Sequence, residues 1–262
     1  MISYKDLGLI LIELRGIIFT NLNKIMQNKQ MKNLPKLIVI LGPTASGKTD
    51  LAIKMAKKFN GEIVNADSRA IYKEMKVATA RPKKTESKVR HHLVNFVRPD
   101  ENFSLAEYKK LAVDKINDIL ARGKTPFLVG GTWLYIRAVV DNLDIPQVGP
   151  NKKFREKLYK QSAKVLYNRL KKSDSEAAAK IHQNDKRRVI RALEVATFTG
   201  KPFTKHKKVG KQLFDAFQVG IAWPRKQLYE RIDGSIDRMM EEGWPEEIRK
   251  AQRKGIPETA PA

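Results

Sequence analysis

The octapeptide at residues 42–49, GPTASGKT, constrains the fold more than any other part of the sequence. It matches the full Walker A pattern, in which glycines let backbone N–H groups turn inward around phosphate oxygens. The pattern functions between a buried strand and a helix whose positive N-terminus points at the same anion. The β-branched run Lys36–Leu41 precedes it, and the helically spaced segment Asp50–Phe59 follows it. The sequence therefore predicts a P-loop that holds a di- or triphosphate.

The residues of this loop have predicted roles in holding the phosphates. Lys48 supplies a mobile positive charge, and the hydroxyl of Thr49 is placed to bind Mg²⁺. The predicted phosphate-binding residues are Gly42, Pro43, Thr44, Ala45, Ser46, Gly47, Lys48 and Thr49. The loop fixes the kind of ligand but not the chemistry, because kinases, ATPases and pyrophosphate-releasing transferases all use it.

Short apolar runs alternate with helical patterns along most of the chain. This alternation predicts an α/β fold, a P-loop NTPase-like parallel sheet with helices on both faces. Further strands are predicted at 62–65, 92–96, 126–130 and 217–223. A capping box at Ser104 and Glu107 begins a helix that Gly123 ends, and further helices begin at Trp133 and Arg225.

Residues 151–210 interrupt the alternation, because they contain no convincing strand and have helical patterns. They hold eighteen Lys and Arg residues against five Asp and Glu, which is more than half of the net charge of +24. Such an excess favours a polyanionic partner through counterion release. We expect a catalytic core at 34–145 and 211–262, interrupted by a basic helical insertion at 146–210.

The N-terminal segment 7–19, LGLILIELRGIIF, is too short and too charged to span a bilayer, and no signal-peptidase site follows it. We expect no membrane partner. Residues 1–33 are an extension, either an appended start before a true initiation at Met26 or Met31, or an amphipathic helix. The absence of cysteine excludes disulfides, thiolate zinc sites and cysteine nucleophiles.

Asp67 follows the predicted strand at 62–65, at the edge where open α/β sheets bind ligands. Its position alone is equally consistent with a functional carboxylate and with a structural one. The structural readings are a cap for a following helix and a Walker-B-like Mg²⁺ ligand.

Five segments resemble the tRNA dimethylallyltransferase family in wording, order and spacing, from about Lys36 to about Ala251. They are GPTASGKTDLA, NADSRAIYKEMKVATARP, HHLVNF, FLVGGTWLYIRAVV and RRVIRALEV. The resemblance implies a P-loop core and a helical insertion that grips the tRNA anticodon stem-loop. It also implies transfer of a dimethylallyl group from dimethylallyl diphosphate to N6 of adenine 37, with Mg²⁺ as cofactor. A cytoplasmic monomer is expected.

The same resemblance implies roles for individual residues. Asp67 would be the general base for the adenine amino group, and the other implied catalytic residues are Lys48, Thr44, Arg225 and Arg231. The residues implied to contact tRNA are Asp67, Ser68, Arg69, Ala70, Thr132, Arg155, Arg187, Arg188, Val189, Ile190 and Arg191.

The sequence departs from the family pattern at several positions, which are Ala70, Ala78, Trp133, Gly234 and Ser235. It also ends at Ala262, where the family usually continues with more helices, so a shortened form and an incomplete sequence are both open.

Three other functions stay open. One is isopentenyl transfer to free AMP, ADP or ATP, which would not need so basic an insertion. Another is a kinase, although no adenine-binding lid is evident. The third is a non-catalytic RNA-binding relic.

Overall fold

A parallel β-sheet forms the centre of the larger of two units. The computed structural model describes residues 13–14, 17–19, 33–79, 89–146, 148–206, 209–258 and 260–261. The strands are β1 Glu13–Leu14, β2 Ile17–Phe19, β3 Lys36–Leu41, β4 Gly61–Asn65, β5 His91–His92, β6 Thr125–Gly130 and β7 Asp215–Ile221. Their order is β1-β2-β7-β3-β6-β4-β5. The strands from β7 to β5 run parallel, while β1 and β2 pair antiparallel at one edge.

Helices cover both faces of this sheet, as the alternation predicted. The α-helices of the described chain, in both units, are α1 Lys48–Lys58, α2 Leu105–Ala121, α3 Trp133–Val140, α4 Lys152–Tyr159, α5 Ala163–Ser173, α6 Ser175–Lys180, α7 Lys186–Thr199, α8 Arg225–Glu241 and α9 Trp244–Arg253. Successive side chains of a strand point to opposite faces. Val39 of β3 therefore packs with α2 and α3, and Ile40 packs with Ala52 and Ala56 of α1. The α/β prediction is confirmed.

Two predicted elements differ from the structure. The strand expected at 92–96 is only two residues long, because Leu93 and Asn95 adopt positive φ angles of 58° and 56° that strand pairing does not allow. Where an amphipathic helix was one alternative for 7–19, the described residues form β1 and β2. The proposed starts at Met26 and Met31 lie outside the described residues.

A buried carboxylate stabilises the end of the sheet at which β4 and β6 begin, which is opposite to the end that carries the P-loop. Glu62 is 2% exposed and accepts hydrogen bonds from Arg122 at 2.6 and 2.7 Å, from Lys124 at 2.7 Å, and pairs with His92 at 2.6 Å. The Arg122 guanidinium, helped by Lys124 and His92, holds the pKa of Glu62 well below its usual range despite burial. A buried charge is tolerated here because its oxygens are fully paired.

Helix α9, which the sequence pattern did not predict, anchors the segment that follows β4. The carboxylate of Glu247 accepts three N–H bonds, at 2.6, 3.0 and 3.0 Å, from the consecutive residues 76–78. Lys254 adds an ion pair of 2.9 Å with Glu74, whose φ is +65°. One helix therefore fixes a loop that is about 170 residues away in the sequence.

The second unit is helical and spans Asp141–Lys211, close to the predicted insertion at 146–210. Its core brings together Leu158 of α4, Leu166 of α5, Ala177 of α6 and Leu193 of α7. The described helices of the chain include none that is long and apolar enough to cross a membrane.

The Glu247 contact predicts a local loss of stability on substitution. In Glu247→Gln the amide nitrogen cannot accept a hydrogen bond, so at least one N–H among residues 76–78 loses its partner. We expect a loss of roughly 1–3 kcal/mol in unfolding free energy and faster amide hydrogen exchange at these three residues. The control is Glu246→Gln, since the partners of Glu246 among the described residues are Arg249 and Arg253 of its own helix. Equal exchange rates in both variants would contradict the assignment.

Candidate active site

The carboxyl edge of the parallel sheet collects the loops that carry the predicted site. The P-loop follows β3, Asp67 follows β4, Thr132 follows β6, and Trp223 follows β7. Because parallel strands end at the same edge, residues far apart in sequence meet there. This is the arrangement expected of a ligand site in an open α/β sheet.

The P-loop has the backbone shape of an anion cradle. Gly47 precedes α1 with φ +85°, and Ala45 also has a positive φ, of 59°. Lys48 Nζ donates to the carbonyl of Pro43 at 3.0 Å. Burial lowers the pKa of Lys48, and the negative charge of Asp67 opposes this effect, so the ammonium and the carboxylate interact across the site.

The other loop residues differ in their exposure. Pro43 and Thr44 are exposed, and Gly42 and Thr49 are half-buried. Ser46 is 3% exposed, and its hydroxyl has no hydrogen-bond partner among the described residues.

The ends of β4 and β6 approach each other so closely that only glycine fits. A Cβ at Gly130 would lie 2.1 Å from the carbonyl oxygen of Ala66. Ala66 donates to Val129 at 2.7 Å and accepts from the N–H of Thr132 at 3.1 Å. This junction fixes the position of Asp67, the next residue after Ala66, relative to Thr132.

The loop that carries Asp67 is held by side chains on both sides. The amide of Asn65 donates to the carbonyl oxygens of Asp67 at 2.9 Å and Leu93 at 3.0 Å, and accepts from the N–H of Asp67 at 3.1 Å. Oδ1 of Asp67 accepts from the N–H of Arg69 at 2.9 Å, which closes a turn rather than capping a helix. Oδ2 has no donor among the described residues, so it is available to a ligand.

Thr132 is joined directly to the Asp67 loop. Its hydroxyl accepts from the N–H of Ser68 at 2.9 Å and donates to Ser68 Oγ at 3.2 Å. Arg69 is exposed, but the side chain of Ala70 is buried, so the predicted RNA contact at Ala70 is limited to its backbone.

The two arginines predicted on α8 have different surroundings. Arg231 donates through Nε to the carbonyl of Ala45 at 2.8 Å and therefore lies against the P-loop. Arg225 donates through Nε to the hydroxyl of Tyr229 at 2.9 Å and makes no hydrogen bond to the described part of the P-loop. Of the two, the structure brings only Arg231 to the P-loop.

Sequence reasoning missed two residues that organise the site. Asn65 is the last residue of a buried strand, and a polar side chain in that position was the signal available for it. Trp223 donates its indole N–H to the carbonyl of Ser46 at 3.0 Å. No local sequence pattern could predict this contact, because the two residues are 177 positions apart.

The arginines predicted to contact RNA fall into two groups in the helical unit. Arg155 and Arg191 both bind Glu194, which is 0% exposed, at distances of 2.7–2.9 Å. Arg187 and Arg188 are exposed at the start of α7, where Arg188 also lies 3.4 Å from Asp185.

The predicted contacts Val189 and Ile190 also lie on α7, but their side chains pack in the core of the helical unit. Their side chains are 0% and 1% exposed, so RNA could reach only their backbone. Any recognition through α7 would therefore rest on its charged side chains.

The donors suited to a metal ion are sparse. No group of three or more His, Cys, Asp or Glu that could hold a metal occurs in the part of the chain that the structure describes. The Thr49 hydroxyl fits a Mg²⁺ that takes most of its ligands from a bound diphosphate and water.

Comparison with known proteins places this geometry in a family context. The IPP transferase family matches residues 70–262. The tRNA dimethylallyltransferase of Acetivibrio thermocellus is 42% identical over 230 residues, covering 85% of this chain and 74% of the relative. That of Halothermothrix orenii is 43% identical over 221 residues, covering 81% and 67%.

Solved structures agree with these sequence relatives. A tRNA isopentenylpyrophosphate transferase from Bacillus halodurans aligns with a TM-score of 0.59 at 38% identity, covering 85% of this chain and 72% of the other. A eukaryotic dimethylallyltransferase acting on tRNA aligns with a TM-score of 0.74 at 32% identity, covering 84% and 56%. The parallel sheet flanked by helices in the present chain is the fold predicted from the P-loop.

Two glycine substitutions should have opposite effects on stability, because one glycine lies at the junction of β4 and β6 and the other lies on the exposed surface of α8. Gly130→Ala places a Cβ against backbone atoms of Ala66, so we expect a loss of roughly 1–3 kcal/mol or more and a displaced Asp67. Gly234→Ala on α8 meets no atom within 4 Å and should add about 1 kcal/mol of helix stability. Urea unfolding of both variants measures this difference. An unaltered Gly130→Ala protein would show that the junction tolerates a side chain.

Proposed function

The chain belongs to the IPP transferase family, and we propose on this premise that it transfers a dimethylallyl group from dimethylallyl diphosphate to N6 of adenine 37 in tRNA, releasing pyrophosphate. The observation that carries the proposal is the meeting of the P-loop, Asp67 and Thr132 at one edge of the sheet. The P-loop supplies a diphosphate site, and Asp67 supplies a proton acceptor beside it.

Asp67 serves as the general base in this reaction. The lone pair of adenine N6 is delocalised into the ring, so the amino group is a weak nucleophile. As the new C–N bond forms, Oδ2 of Asp67 accepts the proton that N6 loses. Asn65 and the N–H of Arg69 fix the carboxylate for this role. General base catalysis of this kind is worth about 10²–10⁴-fold.

The P-loop stabilises the leaving group. Negative charge accumulates on pyrophosphate as the allylic C–O bond breaks, and backbone N–H groups, Lys48 and Arg231 are aimed at this charge. Burial lowers the pKa of Lys48, and the negative charge of a bound anion would oppose this effect and favour the protonated ammonium form. Lys48 and Arg231 both lie against the P-loop before the reaction begins, and this preorganisation lowers the barrier.

Mg²⁺ fits the reaction as a partner of the diphosphate. Thr49 would hold it, together with oxygens of the substrate, and the ion would neutralise charge on the departing pyrophosphate. The protein's own contribution is the Thr49 hydroxyl at the start of α1.

The helical unit supplies the RNA-binding surface in this proposal. Residues 151–210 carry eighteen Lys and Arg against five Asp and Glu. Arg187 and Arg188 present exposed guanidinium groups, whose planar forks suit phosphate and whose faces can stack on unpaired bases. A free mononucleotide substrate would not need this surface.

A transfer assay tests the proposed function. Unmodified tRNA is incubated with radiolabelled dimethylallyl diphosphate and Mg²⁺, and AMP and ATP replace tRNA in parallel reactions. We expect label in tRNA only, and none with Lys48→Ala, which lacks the charge beside the pyrophosphate. Label in AMP or ATP instead would overturn the assignment of the acceptor, and label in neither would overturn the proposed reaction.

Asp67→Asn separates chemistry from binding. Asparagine keeps the size of the side chain but cannot take the amino proton, so the single-turnover rate should fall about 10²–10⁴-fold. The affinity for tRNA should change little. A normal rate constant would remove the general-base role and leave Asp67 with a structural one.

Arg187→Ala combined with Arg188→Ala should weaken tRNA binding and flatten its salt dependence. Each lost phosphate contact lowers the magnitude of the slope of log K against log [salt] by roughly one, so the pair should lower that magnitude by about two. Filter binding at several salt concentrations measures this slope. The control is Lys171→Ala with Lys172→Ala, which removes the same charge from exposed positions on α5. Equal slopes for both double variants would show that only net charge matters.

A further inference from the structure

Trp223 touches both the P-loop and the arginine that lies against it. It stands between the end of β7 and the start of α8, where Pro224 restricts the backbone. Its indole N–H donates to Ser46 at 3.0 Å. The guanidinium carbon of Arg231 lies 4.4 Å from the centroid of its ring. One side chain therefore bridges two parts of the candidate leaving-group site.

These contacts determine what the loop and the arginine can present to an anion. The carbonyls of Ala45 and Ser46 are occupied from outside the loop by Arg231 and Trp223. Holding carbonyls outward favours the loop conformation in which N–H groups turn toward phosphate. Only Nε of Arg231 is used in this way, and the four hydrogens on its Nη atoms have no acceptor among the described residues.

The aromatic ring also limits where Arg231 can go. An arginine side chain on a helix surface samples many rotamers, and ordering them costs free energy when a ligand binds. The ring face and the hydrogen bond to Ala45 restrict these rotamers before any ligand arrives. Nη2 of Arg231 then lies 3.7 Å from where a Cβ would stand at Gly47, at the N-terminus of α1.

We propose that Trp223 is a positioning residue for the diphosphate: it fixes the P-loop through Ser46 and holds Arg231 against the loop through its ring. This inference rests on the proposed function for its ligand, and it adds a residue that acts through other groups. Trp223 itself need not touch the diphosphate.

Substitutions at Trp223 separate its two contacts. Trp223→Phe keeps an aromatic face but loses the N–H to Ser46, and Trp223→Leu loses both. The probe is inorganic pyrophosphate with Mg²⁺, measured by isothermal titration calorimetry. We expect Phe to weaken binding about threefold and Leu about tenfold, since each lost contact is modest. Phe59→Leu, which removes an exposed aromatic ring at the end of α1, is the control and should bind as the original chain does.

The decisive comparison repeats these measurements in Arg231→Ala. If the ring acts through Arg231, the difference between Phe and Leu at position 223 should disappear in that background, while the loss from the Ser46 contact remains. A difference that persists would overturn the proposal, and so would normal affinity in Trp223→Leu. Should Trp223→Leu fail to fold, Trp223→Met provides the non-aromatic variant.

The transfer assay keeps this inference apart from the proposed function. We expect the KM for dimethylallyl diphosphate to rise in Trp223→Leu, with Trp223→Phe partly restoring it. If the original chain binds pyrophosphate but labels no acceptor, the proposed function fails while the calorimetric cycle still decides the role of Trp223. If labelling is normal but the cycle is additive, only the positioning role fails.

Discussion

The contact between Ala66 and Gly130 is the constraint on which the site depends. Two backbones meet there at a distance that excludes any side chain. The hydrogen bonds around the contact place Asp67 on one side and Thr132 on the other. Strands β4 and β6 are buried and regular, so they hold these two residues on rigid supports. A loop attached to a less closely packed pair of strands could not keep a carboxylate beside a phosphate cradle with the same accuracy.

Positive charge in the helical unit has two physical roles that composition cannot distinguish. Glu194 is fully buried and requires partners, and Arg155 and Arg191 supply them. Together with the N–H of Asn151, they hold the pKa of Glu194 below its usual value, against the effect of burial, which is the largest single influence. Arg155 ties α4 to α7, and Arg191 pairs with Glu194 within α7, whereas Arg187 and Arg188 face solvent.

Local sequence patterns predicted the elements of the fold but not the contacts between distant ones. The P-loop, the capping box at Ser104 and the alternation of strands and helices depend on neighbouring residues, so they could be read directly. The five family segments predicted the transfer reaction and the family. Asn65, Trp223 and Glu247 could not be assigned, because their partners are set by tertiary packing. The short β5 depends on the positive φ of Leu93 and Asn95, which residue type alone does not reveal.

The position of β7 has a consequence for how the protein is made. β3 ends at Leu41, but β7, its neighbour on one side, begins at Asp215. Ribosomes extend a chain from its N-terminus, so the entire helical unit is synthesised before the strand that pairs with β3 on that side. Trp223 and Arg231, which contact the P-loop, follow later still. The nascent chain therefore carries a P-loop sequence long before it has the groups that shape it. The pairing of β3 with β7 has to wait until residues 215–221 have been made.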